Sequence, residues 1–192
     1  MAVTDSIYRL NVTLLNIEPP ISRRIELAGS TSLDQLHNIL QISFGWQNCH
    51  MHQFEKDEQR YGVVDGDDPF DADTLPEAKH TLGDVLPHKG DQLLYWYDFG
   101  DDWYHEIEVE DILTPDVKTR YPRVTAGTRR CPPEDCGGPF GYENLLAVLA
   151  NKKHPEHREL RGWVGTGFNP EAFSLDDTNK QLARRRSLAA KP

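Results

Sequence analysis

The sequence predicts an α+β domain in which an antiparallel or mixed sheet of hairpins, with one embedded helix, is followed by C-terminal helices that pack on it. Three observations predict this class. Short segments of alternating apolar and polar residues, separated by turn residues, fill most of the first two thirds of the chain. One segment among them has helical spacing, and helical spacing returns near the C-terminus. Runs of strands followed by runs of helices are typical of α+β proteins.

The first hairpin and the embedded helix are predicted within the first 45 residues. Residues 7–17 alternate between apolar and polar side chains, as in a strand with one buried face. A Pro-Pro turn then leads into a returning strand at residues 23–27. Thr31 or Ser32 can cap the helix that follows, and Gly45 is well placed to end it. The apolar stripe of this helix has positions three or four residues apart: Leu33, Leu36, Leu40 and Phe44.

Two more hairpins are predicted in the middle of the chain. Residues 50–55 and 59–64 form one of them, and residues 81–86 form a short helical turn. Residues 93–99 and 103–113 form the second, here called the central hairpin, around a turn rich in Asp and Gly. In its second strand, every other residue is predicted to share one face: Trp103, His105, Ile107 and Val109.

The last third of the chain is predicted to be mainly helical. A short strand at residues 121–125 precedes a helix that has Pro139 in its first turn. A second helix begins near Pro155, and Ser174 caps a last helix that continues to about Arg186.

The whole chain, residues 1–192, is predicted to be a single domain. Its length suits one domain with its own core. Residues 65–77 are acidic, contain proline and have no apolar period, so they are predicted to be an exposed loop, and residues 187–192 a flexible tail. The loop resembles a calcium-binding loop only superficially, because Phe70 and Pro76 occupy positions that need Gly and Glu.

Composition and charge predict a cytoplasmic protein without a membrane span. No stretch of the chain contains the ~20 consecutive apolar residues that a spanning helix needs. The N-terminus lacks the basic and apolar regions of a signal peptide. Three cysteines are present, and an odd, low count in this context predicts reduced thiols rather than a disulfide framework.

The formal net charge of −10 bears on the partners that the protein can bind. An acidic surface repels phosphate backbones, so extensive nucleic-acid binding is disfavoured. The exception is the C-terminal tail, where all charged residues after Asp177 are basic and can touch an acidic partner or nucleic acid. The expected partner is a protein.

Four segments together resemble the Ri-plasmid ORF-3-like family: residues 8–27, 33–55, 94–113 and 121–146. The resemblance covers almost the whole chain except the acidic loop and the last ~15 residues. It implies a compact α+β domain and an association with plasmids and transposable elements. It carries over no established catalytic residue.

A metal site is the first candidate for chemistry. His50 and His52, two residues apart on a predicted strand, would project from one face, and Cys131 and Cys136 flank a stiff Pro-Pro-Glu-Asp loop. Imidazole and thiolate ligands suit zinc or another divalent metal, and Cys49 lies next to the histidines. The alternative is structural: the two loop cysteines are small residues in a turn, and the histidines pack or form hydrogen bonds nearby.

The turn of the central hairpin is the second candidate. Asp98, Asp101 and Asp102 together with His105 could bind a divalent cation and activate water, or act as a general acid and base. The alternative is that Asp and Gly are ordinary turn residues and that His105 lies in the core. No phosphate-binding loop, dinucleotide fingerprint or nucleophile elbow occurs in the sequence.

Two functions remain open from the sequence. The first is a non-enzymatic interaction module that acts through the central hairpin and the loop at residues 131–138. The second is a metal-dependent hydrolase or nuclease that uses the acidic turn and the histidines. Convergence of the carboxylates and histidines in one cleft would favour the enzyme.

Overall fold

The structure is a computed structural model that describes residues 6–64 and 73–189. Its strands are β1 (Ile7–Leu14), β2 (Ile21–Ala28), β3 (His52–Lys56), β4 (Gln59–Gly62), β5 (Thr74–Pro76), β6 (Gln92–Tyr97), β7 (Trp103–Leu113) and β8 (Arg123–Thr128). Its α-helices are α1 (Leu33–Phe44), α2 (Leu82–Val85), α3 (Gly138–Ala150), α4 (His157–Val164) and α5 (Leu175–Ala189).

All eight strands form one sheet in the order β5-β4-β3-β6-β7-β1-β2-β8. Neighbouring strands are antiparallel except β4 and β5, which are parallel. The sheet is therefore mixed and the fold is α+β, as the sequence predicts. Among the helices of the described residues, none is long and apolar enough to cross a membrane.

The core lies against one face of β1 and β7, two neighbouring strands in the interior of the sheet. The alternating residues of β1 are buried, and so are the residues of β7 that were predicted to share a face: Tyr8, Leu10, Val12, Leu14, Trp103, His105, Ile107 and Val109. The apolar stripe of α1 belongs to the same buried cluster. Ser32 and Gly45 bound this helix as predicted, and Gly45 adopts a left-handed conformation with φ 97°. The fold therefore has two layers, with α1 packed on one face of the sheet.

The two edges of the sheet differ from the sequence predictions. Residues 74–76 pair with β4 instead of remaining in a loop, whereas residues 65–72 lie outside the described residues. At the other edge, the Asn179 amide of α5 bonds both the N–H and the C=O of Val124 at 2.9 Å. This helix also continues beyond the predicted end near Arg186. The side-chain amide of Asn179 thus covers part of the exposed edge of β8.

A buried guanidinium joins β2, α1 and β8. Arg23 is only 2% exposed, and it donates hydrogen bonds to four backbone carbonyls, those of Ser22, Ser43, Thr128 and Arg129, at 2.6–2.9 Å. These carbonyls belong to strand and helix ends that would otherwise be left without donors. Arg23 therefore connects three elements that are distant in sequence.

Candidate metal centre and adjoining cleft

Three connecting segments meet beside β6. They are residues 46–51, between α1 and β3; residues 98–102, the turn between β6 and β7; and residues 131–137, before α3. The sequence separation between them means that only the completed sheet brings them together. Their side chains form a cluster of nitrogen, oxygen and sulfur donors.

His50 is at the centre of this cluster. Its Nε2 lies 3.2 Å from Asp135 Oδ1, 3.4 Å from Asp98 Oδ2 and 3.9 Å from Glu134 Oε2. Cys49 completes a second group of three donors with His50 and Glu134, in which all ligand atoms lie within 4.8 Å of one another. Within the described ranges, no Lys or Arg forms an ion pair with these three carboxylates. The cluster is therefore rich in negative charge.

The hairpin turn orients one of these carboxylates. Asp98 adopts φ 58°, and its N–H donates to the carbonyl of Met51 at 2.9 Å, which joins the turn to the segment before β3. Its Oδ1 accepts a hydrogen bond from the N–H of Gly100 at 3.0 Å. The other oxygen, Oδ2, is the one that faces His50.

Glu134 is held from the opposite side. Its Oε1 accepts hydrogen bonds from the Gln47 N–H at 2.7 Å and from the Tyr97 hydroxyl at 3.0 Å. The Cys49 N–H donates to the same hydroxyl at 3.2 Å. Such fixed outer partners orient ligand side chains in metal sites. Glu134 and Cys49 are therefore positioned by one shared group, the Tyr97 hydroxyl.

Two atoms of the cluster are buried and have no hydrogen-bond partner. They are His50 Nε2 and Glu134 Oε2. The side chain of Glu134 is only 6% exposed, and an unpaired buried carboxylate oxygen is strongly unfavourable. Ligand atoms held at 2.0–2.2 Å from one tetrahedral ion lie roughly 3.3–3.6 Å apart, close to the separations of His50 Nε2 from the three carboxylates. A cation between them would satisfy both unpaired atoms.

The thiol of Cys49 is in its protonated form without a cation. Desolvation is the main cause that raises the pKa of this thiol. A hydrogen bond with Tyr97 acts in the opposite direction, and the negative charges of Glu134 and Asp135 raise the pKa further. A bound cation would reverse the effect of the carboxylates, because it neutralises their charge. Cys49 can therefore serve as a ligand when a metal is present.

Of the four predicted metal ligands, His50 alone belongs to the donor groups found in the described residues. His52 instead pairs with Glu77, with 2.9 Å between Nε2 and Oε2, and its ring stacks on a neighbouring imidazole of α1. Burial raises the pKa of Cys131 well above its usual value and that of Cys136 to about 12, so both thiols remain protonated. The alternation argument does not hold for the two histidines, because β3 begins only at His52.

The residues of the predicted acidic site are also separated by the fold. Asp98 joins the cluster, but Asp101 Oδ2 accepts the Gly137 N–H at 3.0 Å, and Asp102 Oδ1 accepts the indole N–H of Trp96 at 3.0 Å. His105 lies in the core and is fully buried. Asp101 and Asp102 therefore hold the turn and the following loop in place.

Sequence reasoning missed Glu134 and Asp135 as donors. Both lie between Cys131 and Cys136, and the spacing of these two cysteines favoured sulfur ligands instead. Two adjacent acidic residues in a stiff loop that leads into a helix are the sequence feature that could have indicated these donors.

Close backbone packing holds this loop against the hairpin turn. Gly138 has φ 68°, and a Cβ at this position would overlap the carbonyl oxygen of Asp101. We expect Gly138→Ala to lower the free energy of unfolding by about 2 kcal/mol, because it adds both backbone strain and overlap. Urea denaturation followed by circular dichroism measures the change.

Gly90→Ala is the matched control for this substitution. Gly90 also has a positive φ, 87°, but a Cβ added there would have no neighbouring atom within 4 Å. Gly90→Ala should therefore lower the free energy of unfolding by about 1 kcal/mol, from backbone strain alone. Equal losses for the two variants would contradict the packing role of Gly138.

A cleft adjoins the cluster. Its volume is about 950 Å³, and Cys49 and His50 belong to both the cleft and the cluster. Exposed apolar side chains line it as well: Met51 is 69% and Val63 71% exposed. The size is in the range of small-molecule sites. The cleft therefore gives a ligand access to the donor cluster.

Comparisons with known proteins place these features in context. A family model described as plasmid pRiA4b ORF-3-like protein matches residues 6–177. The chain is 36% identical over 190 residues to "Uncharacterized protein y4hQ" of Sinorhizobium fredii, covering 97% of this chain and 94% of that protein. The crystal structure of the protein of unknown function MM3350 from Methanosarcina mazei Go1 is similar with TM-score 0.81 and 34% identity, and the match covers 90% of this chain and 97% of that one. Neither of these two names states an activity.

Proposed function

The chain belongs to the plasmid pRiA4b ORF-3-like family, and we propose that it is a divalent-metal-binding protein. The proposed centre is formed by five residues from three segments: Cys49, His50, Asp98, Glu134 and Asp135. The observation that carries the proposal is a pair of buried atoms that make no hydrogen bond, His50 Nε2 and Glu134 Oε2, which lie 3.9 Å apart among carboxylates.

Zinc is the metal that suits these donors best. Zinc accepts imidazole, thiolate and carboxylate ligands together, whereas magnesium and calcium prefer oxygen alone. The carboxylates supply enough negative charge for a dication, so manganese or iron would be the competing ions.

Metal analysis tests the proposal. Protein purified without chelator, or loaded with zinc and desalted, is expected to contain one equivalent of zinc by elemental analysis. His50→Ala should weaken zinc binding at least about 100-fold, because second-shell changes alone weaken it 10–100-fold. Glu134→Gln removes one charge at nearly constant shape and should weaken binding about 10-fold or more.

Three variants serve as controls in the same titrations. His88→Ala and Glu143→Gln remove a histidine and an acid from exposed positions and should leave zinc binding unchanged. Cys136→Ser should also retain the metal, although the sequence predicted Cys136 as a ligand. Absence of stoichiometric zinc, manganese or iron from the wild type, or equal affinities of the His50 and His88 variants, would refute the proposal.

The two functions predicted from the sequence meet at this centre. It lies where the central hairpin contacts the loop at residues 131–138, which is the surface predicted for an interaction module. The unpartnered buried atoms favour a metal-dependent role over binding by apolar contact alone, while Met51 and Val63 supply exposed apolar surface for a ligand. A protein partner and an association with mobile elements remain predictions, and so does a cytoplasmic location, where three free cysteines would stay reduced.

A further inference from the structure

We propose that the cleft beside the metal centre is a hydrolytic site for uncharged acyl compounds, that is, esters or amides with an apolar chain. The inference rests on the proposed metal centre and adds to it a substrate class and a reaction. Four features of the site carry it: open coordination, size, apolar lining and charge.

The proposed centre is open to solvent on one side. Cys49 is exposed and the side chain of Asp135 is 74% exposed, whereas Asp98 and Glu134 are buried beneath them. Structural zinc sites are closed by four Cys or His ligands, but catalytic sites combine three protein ligands with an open position. Either of the two groups of three donors that share His50 supplies three protein ligands and so matches the second pattern. Water or a carbonyl oxygen can therefore reach the cation.

The cleft provides room and apolar contact next to that open side. A volume of about 950 Å³ accommodates a small organic molecule. Three of its lining residues, Met51, Val63 and Phe99, are among the exposed large hydrophobic residues of the protein. Exposed apolar side chains concentrated around a concave site indicate ligand binding. The paired His52 and Glu77 provide a polar section of the same lining.

The negative charge around the cleft favours uncharged acyl compounds over phosphoesters as substrates. The chain carries a formal charge of −10, and the centre contributes Asp98, Glu134 and Asp135. Arg60 is the sole Lys or Arg among the residues that line the described cleft. A nucleic acid or phosphodiester would be repelled over most of its approach. An uncharged ester or amide would not.

The reaction needs only water as a co-reactant. Water adds to the carbonyl carbon, the C–O or C–N bond to the leaving group breaks, and the leaving group takes up a proton that the water releases. The products are a carboxylic acid and an alcohol or amine. A divalent cation polarises the carbonyl and lowers the pKa of water in such reactions.

Binding of straight-chain hydroxamic acids tests the open position and the apolar cleft together. These compounds chelate zinc and carry chains of chosen length. Zinc-loaded protein is expected to bind them, as measured by calorimetry, with an affinity that rises roughly two- to fourfold for each added methylene from acetyl to hexanoyl. His50→Ala protein should not bind them.

Two cleft variants and one control test whether the cleft causes the dependence of hydroxamate affinity on chain length. Met51→Ala and Val63→Ala should flatten it while retaining one equivalent of zinc, because both residues are exposed and lie outside the proposed ligands. Phe140→Ala removes an aromatic side chain that is 87% exposed and does not line the cleft, so it should change nothing.

Turnover of p-nitrophenyl acetate, butyrate and hexanoate tests the reaction. Zinc-loaded wild-type protein is expected to release many equivalents of nitrophenol, fastest with the longer chains. The His50→Ala variant and free zinc at equal concentration should be at least 10-fold slower. A single-equivalent burst, or hydroxamate binding without turnover, would overturn the hydrolytic inference.

The two proposals fail in different ways. One equivalent of zinc without chain-length-dependent hydroxamate binding overturns the cleft inference and leaves the metal centre standing. Absence of stoichiometric zinc, manganese or iron overturns the metal centre and, with it, the hydrolytic site.

Discussion

Replacing Arg23 with methionine is expected to lower the free energy of unfolding by about 3–5 kcal/mol, the largest single loss among the substitutions considered. Methionine preserves much of the apolar volume of the side chain but removes the donors for four backbone carbonyls. These carbonyls lie in three separate elements, so the loss reaches β2, α1 and β8 together. A buried carbonyl without a donor is strongly unfavourable.

The planar shape and the number of N–H donors of the Arg23 guanidinium are the reasons why lysine is also a poor substitute. Burial lowers the pKa of Arg23 to about 10, so the guanidinium remains charged at neutral pH, stabilised by carbonyl dipoles rather than by a carboxylate. Its planar group lies between the rings of Phe44 and Phe173, at 5.0 and 4.1 Å from their centroids. An ammonium has neither this shape nor enough donors for four carbonyls. We expect Arg23→Lys to lose at least half as much stability as Arg23→Met.

Arg24→Met is the matched control. Arg24 is the next residue in β2, but it is half-exposed and pairs with Glu110 at the surface. Exposed ion pairs contribute about 0–1 kcal/mol. Urea denaturation of the three variants gives the comparison, and a loss for Arg23→Met within 1 kcal/mol of that for Arg24→Met would show that the buried guanidinium is not a structural requirement.

Acid sensitivity is the second large effect, and it arises from His105. Complete burial lowers the pKa of His105 to about 3. The ring is neutral in the folded protein: its Nε2 accepts the indole N–H of Trp46 at 3.2 Å, which leaves the proton on Nδ1, 3.1 Å from the carbonyl of Trp103. In the unfolded chain the same ring takes up a proton near pH 6.5.

The sign of the effect follows from proton uptake. Between pH 6.5 and 3 the unfolded state binds one more proton at this position than the folded state, so acid favours unfolding. The contribution of His105 to stability should fall by about 2 kcal/mol between pH 7 and pH 5, and by about 3 kcal/mol at pH 4. Protonation of carboxylates also lowers the stability at lower pH, so a variant is needed to separate the contribution of His105.

His105→Gln isolates the contribution. Glutamine retains an acceptor and a donor but does not take up a proton in this range. Its stability at pH 7 should be lower than that of the wild type, yet its decline between pH 7 and pH 5 should be smaller by about 2 kcal/mol. His88→Gln, at an exposed histidine, should follow the wild-type pH dependence. Parallel curves for the His105 variant and the wild type would show that the ring is protonated in the folded state.

The burial that makes His105 acid-sensitive also removes it from catalysis. A ring without solvent access cannot exchange a proton with a substrate, and both of its nitrogens are already in contact with core groups. His50, by contrast, is partly exposed, and its Nε2 faces carboxylates without making a hydrogen bond. The two histidines therefore have opposite roles, which their positions in the sequence do not distinguish.

Local patterns in the sequence were sufficient for most of the fold. Alternation in β1 and β7 predicted which side chains are buried, and the apolar stripe between Ser32 and Gly45 predicted α1 with both of its ends. These predictions succeed because strand and helix periodicity depends on neighbouring residues alone. The strand at residues 74–76 was not predicted, since its pairing with β4 depends on a strand outside the segment.

Three of the five candidate donors were named from the sequence, Cys49 and His50 in the predicted metal site and Asp98 in the acidic turn, but the sequence did not predict that they form one cluster. His50 and Asp98 were both predicted, in two separate constellations, together with residues that the fold places elsewhere. Glu134 and Asp135 were not singled out. The reason is that the cluster depends on how the loop before α3 packs on the hairpin turn, through Asp101 and Gly138.

The sequence by itself determined the family, the α+β class, the buried faces of β1 and β7 and the net negative charge. The tertiary structure alone decided the strand order and which of two similar histidines faces a set of carboxylates. The physical reason is one of range. Periodicity and capping act over a few residues, whereas the donor cluster joins residues 46–51, 98–102 and 131–137, which are distant in sequence, through backbone contacts that have no local signature.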